Sequence, residues 1–294
     1  MAAANSTSTE RLPGPELHET LPEDCGQPGQ YLLLDAALDD TLLSSLYSER
    51  HCPGWTREAL LQGTPHQALA SAGPHLVRIW PGSTVLNDIM RRMDESPLGI
   101  LLIPTEGTTW EAMVEHCRSC LTGTSVDGDP LLVRWYEPRW MRALLNVLDA
   151  GQRKTLAGPC QALVWRGVRG WYRWACEDTT AAPRPLVFDK GFYEHLDGEH
   201  QRDVAAFLAN AYRDYLTQDP LDRYLFIYNA LVFGNTMGLT RLDHQERWIR
   251  LNLRHGERFW QHDERLARLL DDDALTASGK LDTLEALSDQ GAIA

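Results

Sequence analysis

The chain has 294 residues, 43% of them hydrophobic and 23% charged, an ordinary balance for one large domain or two lobes built around a core. Its formal net charge of −13 argues against a general nucleic-acid binder, which needs a basic face. No run reaches the roughly 18 consecutive apolar residues that a membrane span requires.

The first residues, MAAANSTSTERLPGPELHETLPEDCGQPGQ, hold no basic stretch followed by an apolar one. They do not read as a secretory signal, and a cytoplasmic location is expected. Rich in Pro, Gly, Ser, Thr and Glu, residues 1–29 read as a flexible tail. Six cysteines, Cys25, Cys52, Cys117, Cys120, Cys160 and Cys176, are too scattered for a disulfide framework.

Order is expected to begin at YLLLDAALDD. Tyr31 to Leu34 reads as a buried strand, and Asp39 can start a helix whose apolar face is Leu42, Leu43, Leu46 and Tyr47. HCPGW is a turn. His75 to Trp80 is a second strand, bracketed by Gly-Pro and Pro-Gly, and a helix covers Leu86 to Met93. LGILLIP is apolar throughout and is expected at the centre of the sheet. Thr108 or Thr109 can cap a helix running to Leu121. After the turn SVDGDP comes LLVRWYEPRWMRALL, residues 131–145, and then a last strand at Gln161 to Trp165. Alternating strands and helices over residues 30–168 predict an α/β lobe, a mixed sheet flanked by helices.

Residues 169–185 have a linker composition. Beyond them the strand pattern stops. Val204, Phe207, Leu208, Ala211, Tyr212 and Tyr215 form one face of a helix begun by Asp203. A second helix runs from Leu221 to Val232. A third starts at Asp243 with Glu246 in a capping-box arrangement, and a fourth at Asp263. An all-α C-terminal lobe over residues 186–275 is expected. Residues 276–294 read as a flexible tail in which Leu281, Leu284 and Leu287 hint at a marginal helix.

Catalytic signatures are weak. There is no G-x-S-x-G, Walker A, H-E-x-x-H or G-x-G-x-x-G motif. His116, Cys117 and Cys120 form H-C-x-x-C on a helix, but a zinc site needs a fourth ligand. Glu194, His195, Asp197, Glu199, His200 and Asp203 could bind a metal or do acid–base work. They precede a clear helix, where acids favour the N-terminal dipole and solvent. No cofactor and no metal is expected.

The stretch 131–145 is more informative. A strand reaching Trp135 runs into Glu137 and Pro138, and Pro138 suits the first turn of the helix carrying Met141, Leu144, Leu145 and Leu148. Arg134 and Arg139 flank Glu137, an arrangement fitted to charge-assisted hydrogen bonds and to a clasp between strand end and helix start. Ten tryptophans is a high count for this length, and five of them, Trp135, Trp140, Trp165, Trp171 and Trp174, cluster here and nearby with Arg166, Tyr172 and Arg173. Tryptophan, tyrosine and arginine are the residues of binding hot spots. A binding module with an aromatic, arginine-rich groove is favoured over an enzyme. Its candidate binding residues are Arg134, Trp135, Tyr136, Glu137, Arg139, Trp140, Trp171, Tyr172 and Trp174.

Several segments, in order, resemble the effector adaptor/chaperone family of type VI secretion, the Tap-type proteins catalogued as domain-of-unknown-function family 4123. They are YLLLDAAL, GPHLVRI, the helix with His116 and Arg118, VRWYEPRWMRALLNVLD and GPCQALVW. Glu137 stands where that family usually has Asp, and Trp135 where Phe is common. The resemblance implies a non-catalytic bacterial protein that stays in the cytoplasm. It would bind one toxic effector, through the effector's N-terminal region, and help load it onto the VgrG spike or a PAAR-type tip. Alternatives are a metal-dependent hydrolase using His195 and His200, and an immunity protein that blocks a toxin.

Overall fold

In a computed structural model, residues 14–52, 54–167, 169–176, 181–216 and 219–293 are described. The elements of the first part are β1 (Glu16–His18), β2 (Tyr31–Asp35), α1 (Leu42–Ser48), β3 (Arg57–Ala59), β4 (Pro74–Arg78), α2 (Thr84–Met93) and β5 (Gly99–Pro104). They continue with α3 (Trp110–Ser119), β6 (Thr122–Ser125), β7 (Pro130–Leu132), α4 (Met141–Val147), α5 (Ala150–Ala157), β8 (Cys160–Gly167), β9 (Gly170–Ala175) and β10 (Val187–Phe188). Helices α6 (Lys190–Ala211), α7 (Pro220–Thr236), α8 (Leu242–His255), α9 (Glu264–Asp271) and α10 (Ala277–Asp289) follow. The chain divides into two compact units, residues 1–197 and 198–294.

The fold class is the expected one, a sheet flanked by helices and then a helical region. Seven strands form one sheet in the order β1-β9-β8-β5-β2-β4-β3, antiparallel at each pairing. The apolar strand β5 sits in the middle, as its composition requires. A small second sheet, β10-β6-β7, mixes one parallel and one antiparallel pairing.

Side chains alternate between the faces of the large sheet, the two-residue period of extended chain, with one irregularity where β8 begins opposite Pro104. Tyr31, Leu33, Ile100, Leu102, Leu163, Trp165, Tyr172 and Trp174 enter one core with Met113, Val114, Met141, Leu145, Leu156 and Phe188. Leu32, Leu34, Leu101, Ile103, Ala162, Val164 and Trp171 enter the other with Leu42, Leu46, Leu86, Ile89 and Met93. Both faces are covered, so the strands read as continuous apolar runs even though they pair antiparallel. The caps follow simple chemistry. Ser83, Thr109 and Asp149 each accept a backbone N–H at a helix start, satisfying donors that the helix leaves unpaired.

Several expectations are corrected. Glu16–His18, in the expected N-terminal tail, is strand β1 on the outer edge of β9. Residues 170–175, expected in the linker, are β9 itself; their rings pack into the sheet's two faces, where an apolar-rich strand is more stable than an exposed connection. Of the rest of that linker, residues 177–180 lie outside the described residues. The strand at 131–135 is short, Pro130–Leu132, and one turn separates Pro138 from the helix start at Met141.

In the second unit, Trp248 is the packing centre. It is buried, its Nε1 donates to the Ala230 carbonyl at 2.9 Å, and Phe259 and Trp260 pack around it. Helix α8 starts at Leu242, and Asp243, expected as its cap, instead pairs with Arg241 in the first turn. The expected C-terminal tail is helix α10. Leu281 and Leu284 are fully buried, and the Lys280 ammonium donates to the Leu270 carbonyl at 2.6 Å, capping the C-terminal end of α9.

Candidate functional site

Strand β2 ends at Asp35, whose side chain is 0% exposed. Its Oδ1 accepts from the Ala37 amide at 3.1 Å and its Oδ2 from Arg134 Nη2 at 2.8 Å. Burial pushes this carboxyl above the usual range, and the bonds from Ala37 and Arg134 oppose it. The same Arg134 nitrogen lies 3.6 Å from Glu137 Oε2, and its guanidinium sits 5.7 Å from the Tyr136 ring centre.

Glu137, 4% exposed at its side chain, is held by a fork. Arg139 Nε donates to Oε1 and Nη2 to Oε2, each at 2.7 Å, the bidentate geometry that suits a guanidinium best. The Arg139 amide also reaches Oε1 at 3.3 Å, so the longer glutamate keeps a local backbone contact. The bond to Glu137 raises the Arg139 value. For Arg134, burial lowers the value, but the Asp35 contact outweighs it and the net shift is upward. Both guanidiniums therefore stay charged. Two buried carboxylates thus face two arginines that are each about half exposed, so part of each guanidinium remains open to a ligand.

Beside this clasp is a cavity of about 350 Å³, within the range of ligand pockets. One wall carries Arg134, Trp135, Glu137, Arg139 and Trp140; the other carries Phe188, Phe192, Tyr193 and Leu196. Phe188 and Phe192 pack with ring centres 4.4 Å apart, while Tyr193 is 45% exposed. Trp135 is buried, and its Nε1 has no hydrogen-bond partner among the described residues. The cavity thus combines apolar rings and two arginine edges. It suits an apolar segment that offers carbonyl or carboxylate oxygens.

The structure brings Arg134, Trp135, Tyr136, Glu137, Arg139 and Trp140 together at one corner. It places Trp171, Tyr172 and Trp174 elsewhere, inside the sheet rather than on an exposed groove. Trp171 Nε1 donates to Asp94 Oδ1 at 2.8 Å, and Tyr172 stacks on Trp165 at 5.6 Å. Sequence reasoning missed Asp35 as a member of the clasp, because its partner lies 99 residues away. It also missed Phe188, Phe192 and Leu196. Phe192 and Leu196, four apart on α6, carry a helical signal hidden by the charged residues around them, whereas Phe188 lies in strand β10.

Glu194, His195, Asp197, Glu199, His200 and Asp203 do not precede a helix; they lie within α6. His195 and His200 are five residues apart, about 140° around the helix axis. Among the described residues no group of three or more His, Cys, Asp or Glu is arranged to hold a metal ion. His116, partly buried, packs against Trp135 at 6.3 Å between ring centres, and desolvation pushes it down to about 4 against a bond to the Leu156 backbone. Burial pushes the Cys117 thiol well up and the Cys120 thiol to about 12, which holds both protonated and poorly nucleophilic.

Residues 30–155 match the model of a domain of unknown function, DUF4123, a family associated with type VI effector adaptors. The match covers the clasp and the strands behind it, but not the second wall of the cavity. No curated protein and no solved structure matches the chain. Among the described residues no helix is long and apolar enough to cross a membrane.

Proposed function

We propose that this chain, whose residues 30–155 match the DUF4123 family model, is a non-catalytic adaptor and chaperone. It binds one type VI secretion effector in the bacterial cytoplasm and helps load it onto the VgrG spike or a PAAR-type tip, without being secreted itself. The family match carries this reading. The cavity beside the clasp supports it as the place where an effector segment docks. Aromatic rings and arginines around a cleft are the chemistry of a protein-binding hot spot. A segment from the effector's N-terminal region would bury apolar side chains against Phe192 and Tyr193 and give oxygens to the arginines.

The test is to recover the tagged chain from its own bacterium, with the secretion system active, and identify what comes with it. One large toxin-like protein, with or without the spike, is the expected result. Tyr193→Ala, at an exposed wall position, should reduce that recovery while the thermal midpoint stays unchanged. An effector that remains soluble and is delivered normally in a strain lacking this chain would overturn the reading.

A further inference from the structure

The small sheet has two outer strands, β10 and β7, and their edges differ. On β10 the Val187 carbonyl accepts from Gln152 Nε2 at 3.2 Å, so a side chain closes that edge. Among the described residues no hydrogen bond covers β7 in this way. The ladder between β7 and β6 runs through alternate residues. Val133 N–H donates to the Leu121 carbonyl and Ser125 N–H to the Asp129 carbonyl, each at 2.8 Å. In an antiparallel pair, the residues between bonded ones turn their N–H and C=O away from the partner strand. Leu132 therefore presents both groups on the outer side of β7, and Pro130 its carbonyl, where no strand lies among the described residues. Proline has no N–H to lose and is tolerated on such an edge.

This open edge runs into the cavity beside the clasp. Leu132 and Val133 line that cavity, with Phe192 and Tyr193 on the other wall and Arg134 two residues beyond Leu132. The Arg134 and Arg139 side chains are each about half exposed. The Arg139 fork on Glu137 uses Nε and Nη2, leaving Nη1. Open backbone groups select an extended backbone, the rings select an apolar side chain, and the arginines select a carboxylate.

We propose that the outer edge of β7 takes an extended, acidic segment of a partner polypeptide as an added strand. One residue with both groups outward suits the antiparallel register, in which a single opposing residue takes both. That residue exchanges two hydrogen bonds with Leu132 and places an apolar side chain at the cavity. The residue two positions earlier stands opposite Arg134 and is Asp or Glu. Naming the polypeptide as the effector rests on the adaptor reading above; the pairing chemistry does not.

The probe is the peptide acetyl-Thr-Glu-Thr-Phe-Thr-Val-amide, titrated into the full chain while the backbone amides are followed by NMR. Two N-methylated forms are the controls. One is methylated at Phe, whose N–H faces Leu132 in the proposed register. The other is methylated at the Thr before it, whose N–H faces away. The expected result is a shift of the Leu132 amide and an affinity about tenfold lower for the peptide methylated at Phe, the effect of one hydrogen bond. The other control should bind like the parent. Leu132→Pro removes a donor that the ladder to β6 does not use, so it should abolish binding and leave the thermal midpoint unchanged. Replacing the peptide's Glu by Gln should weaken binding at low salt and matter little at high salt. Equal affinity of the two methylated forms, binding that survives Leu132→Pro, or no binding at millimolar concentration overturns the added strand. A dimer of the chain that Leu132→Pro dissolves assigns the edge to a second copy and overturns the proposal as well. Effector recovery by Leu132→Pro equal to that of the natural chain overturns the effector's use of the edge and leaves the adaptor reading standing. Recovery of no effector by the natural chain overturns the adaptor reading alone, and the peptide result still decides the edge.

Discussion

In the sheet unit, Arg134 lies between the carboxylates of Asp35 and Glu137; in the helical unit, Arg247 lies between those of Asp282 and Glu285. The contacts are alike. Arg247 Nε reaches Glu285 at 2.9 Å, and its Nη2 reaches Asp282 at 2.6 Å. What differs is which partner is hidden from water. In the first set the carboxylates are buried, at 0% and 4% exposure, and the arginine is half exposed. In the second the arginine is the more covered partner, and the carboxylates are 65% and 37% exposed. Removing an arginine from buried carboxylates strands a charge in a poor solvent, whereas removing one from exposed carboxylates returns them to water. One motif can therefore be a structural necessity in one unit and nearly neutral in the other.

The largest test of this contrast is acid. His75 and His116, both in the sheet unit, are each pushed down to about 4; burial is the main cause, reinforced at His75 by the Arg57 charge. Their folded values lie below the ordinary one near 6.5, so their contribution is complete above about pH 6.5 and is lost as pH falls toward 4. Each histidine should cost about 3 kcal/mol over that window. Asp35 runs the other way: its raised value means that protonation favours the folded state, so it does not drive the loss. Near-ultraviolet circular dichroism should show the tryptophan-rich sheet unit loosening first, while the far-ultraviolet helical signal persists. Simultaneous loss of both signals would break the contrast.

Arg139→Ala comes next. It leaves the buried Glu137 without its fork and should cost about 2 kcal/mol, less than a fully buried pair because Arg139 is half exposed. Denaturant unfolding measures it, and Arg139→Lys should restore only part, since an ammonium cannot make the bidentate contact. Glu137→Gln keeps the shape but weakens both bonds, with an expected cost of about 1 kcal/mol. The smallest effect belongs to Arg247→Ala, under about 1 kcal/mol and fading with added salt. A cost for Arg247→Ala equal to that of Arg139→Ala would show that burial does not separate the two sets.

Much of the sheet unit was legible in the sequence because its signals are local. The apolar run of β5, the threonine cap of α3 and the proline turn ahead of α4 each depend on neighbours in the chain. Trp171 to Trp174 misled, because tryptophans near a Pro-rich stretch resemble an exposed boundary; only pairing with β8 shows that they are core. The start of α6 was hidden by its charged first turns, whose apolar residues are sparse. Arg134, Glu137 and Arg139 could be read as a clasp from proximity alone. Asp35 could not, since nothing in a linear pattern links positions so far apart. The second wall of the cavity escaped for the same reason.

Strand β1 is only three residues long, yet it covers the outer edge of β9 from Trp171 to Arg173. Shortening the protein to its family match, from residue 30, would remove it. The bared β9 would offer free backbone donors and acceptors next to tryptophan and tyrosine, a template on which another molecule's strand can dock. Preparations trimmed in this way should therefore self-associate in proportion to concentration. A polar leader that looks dispensable acts as a guard against fibrous assembly.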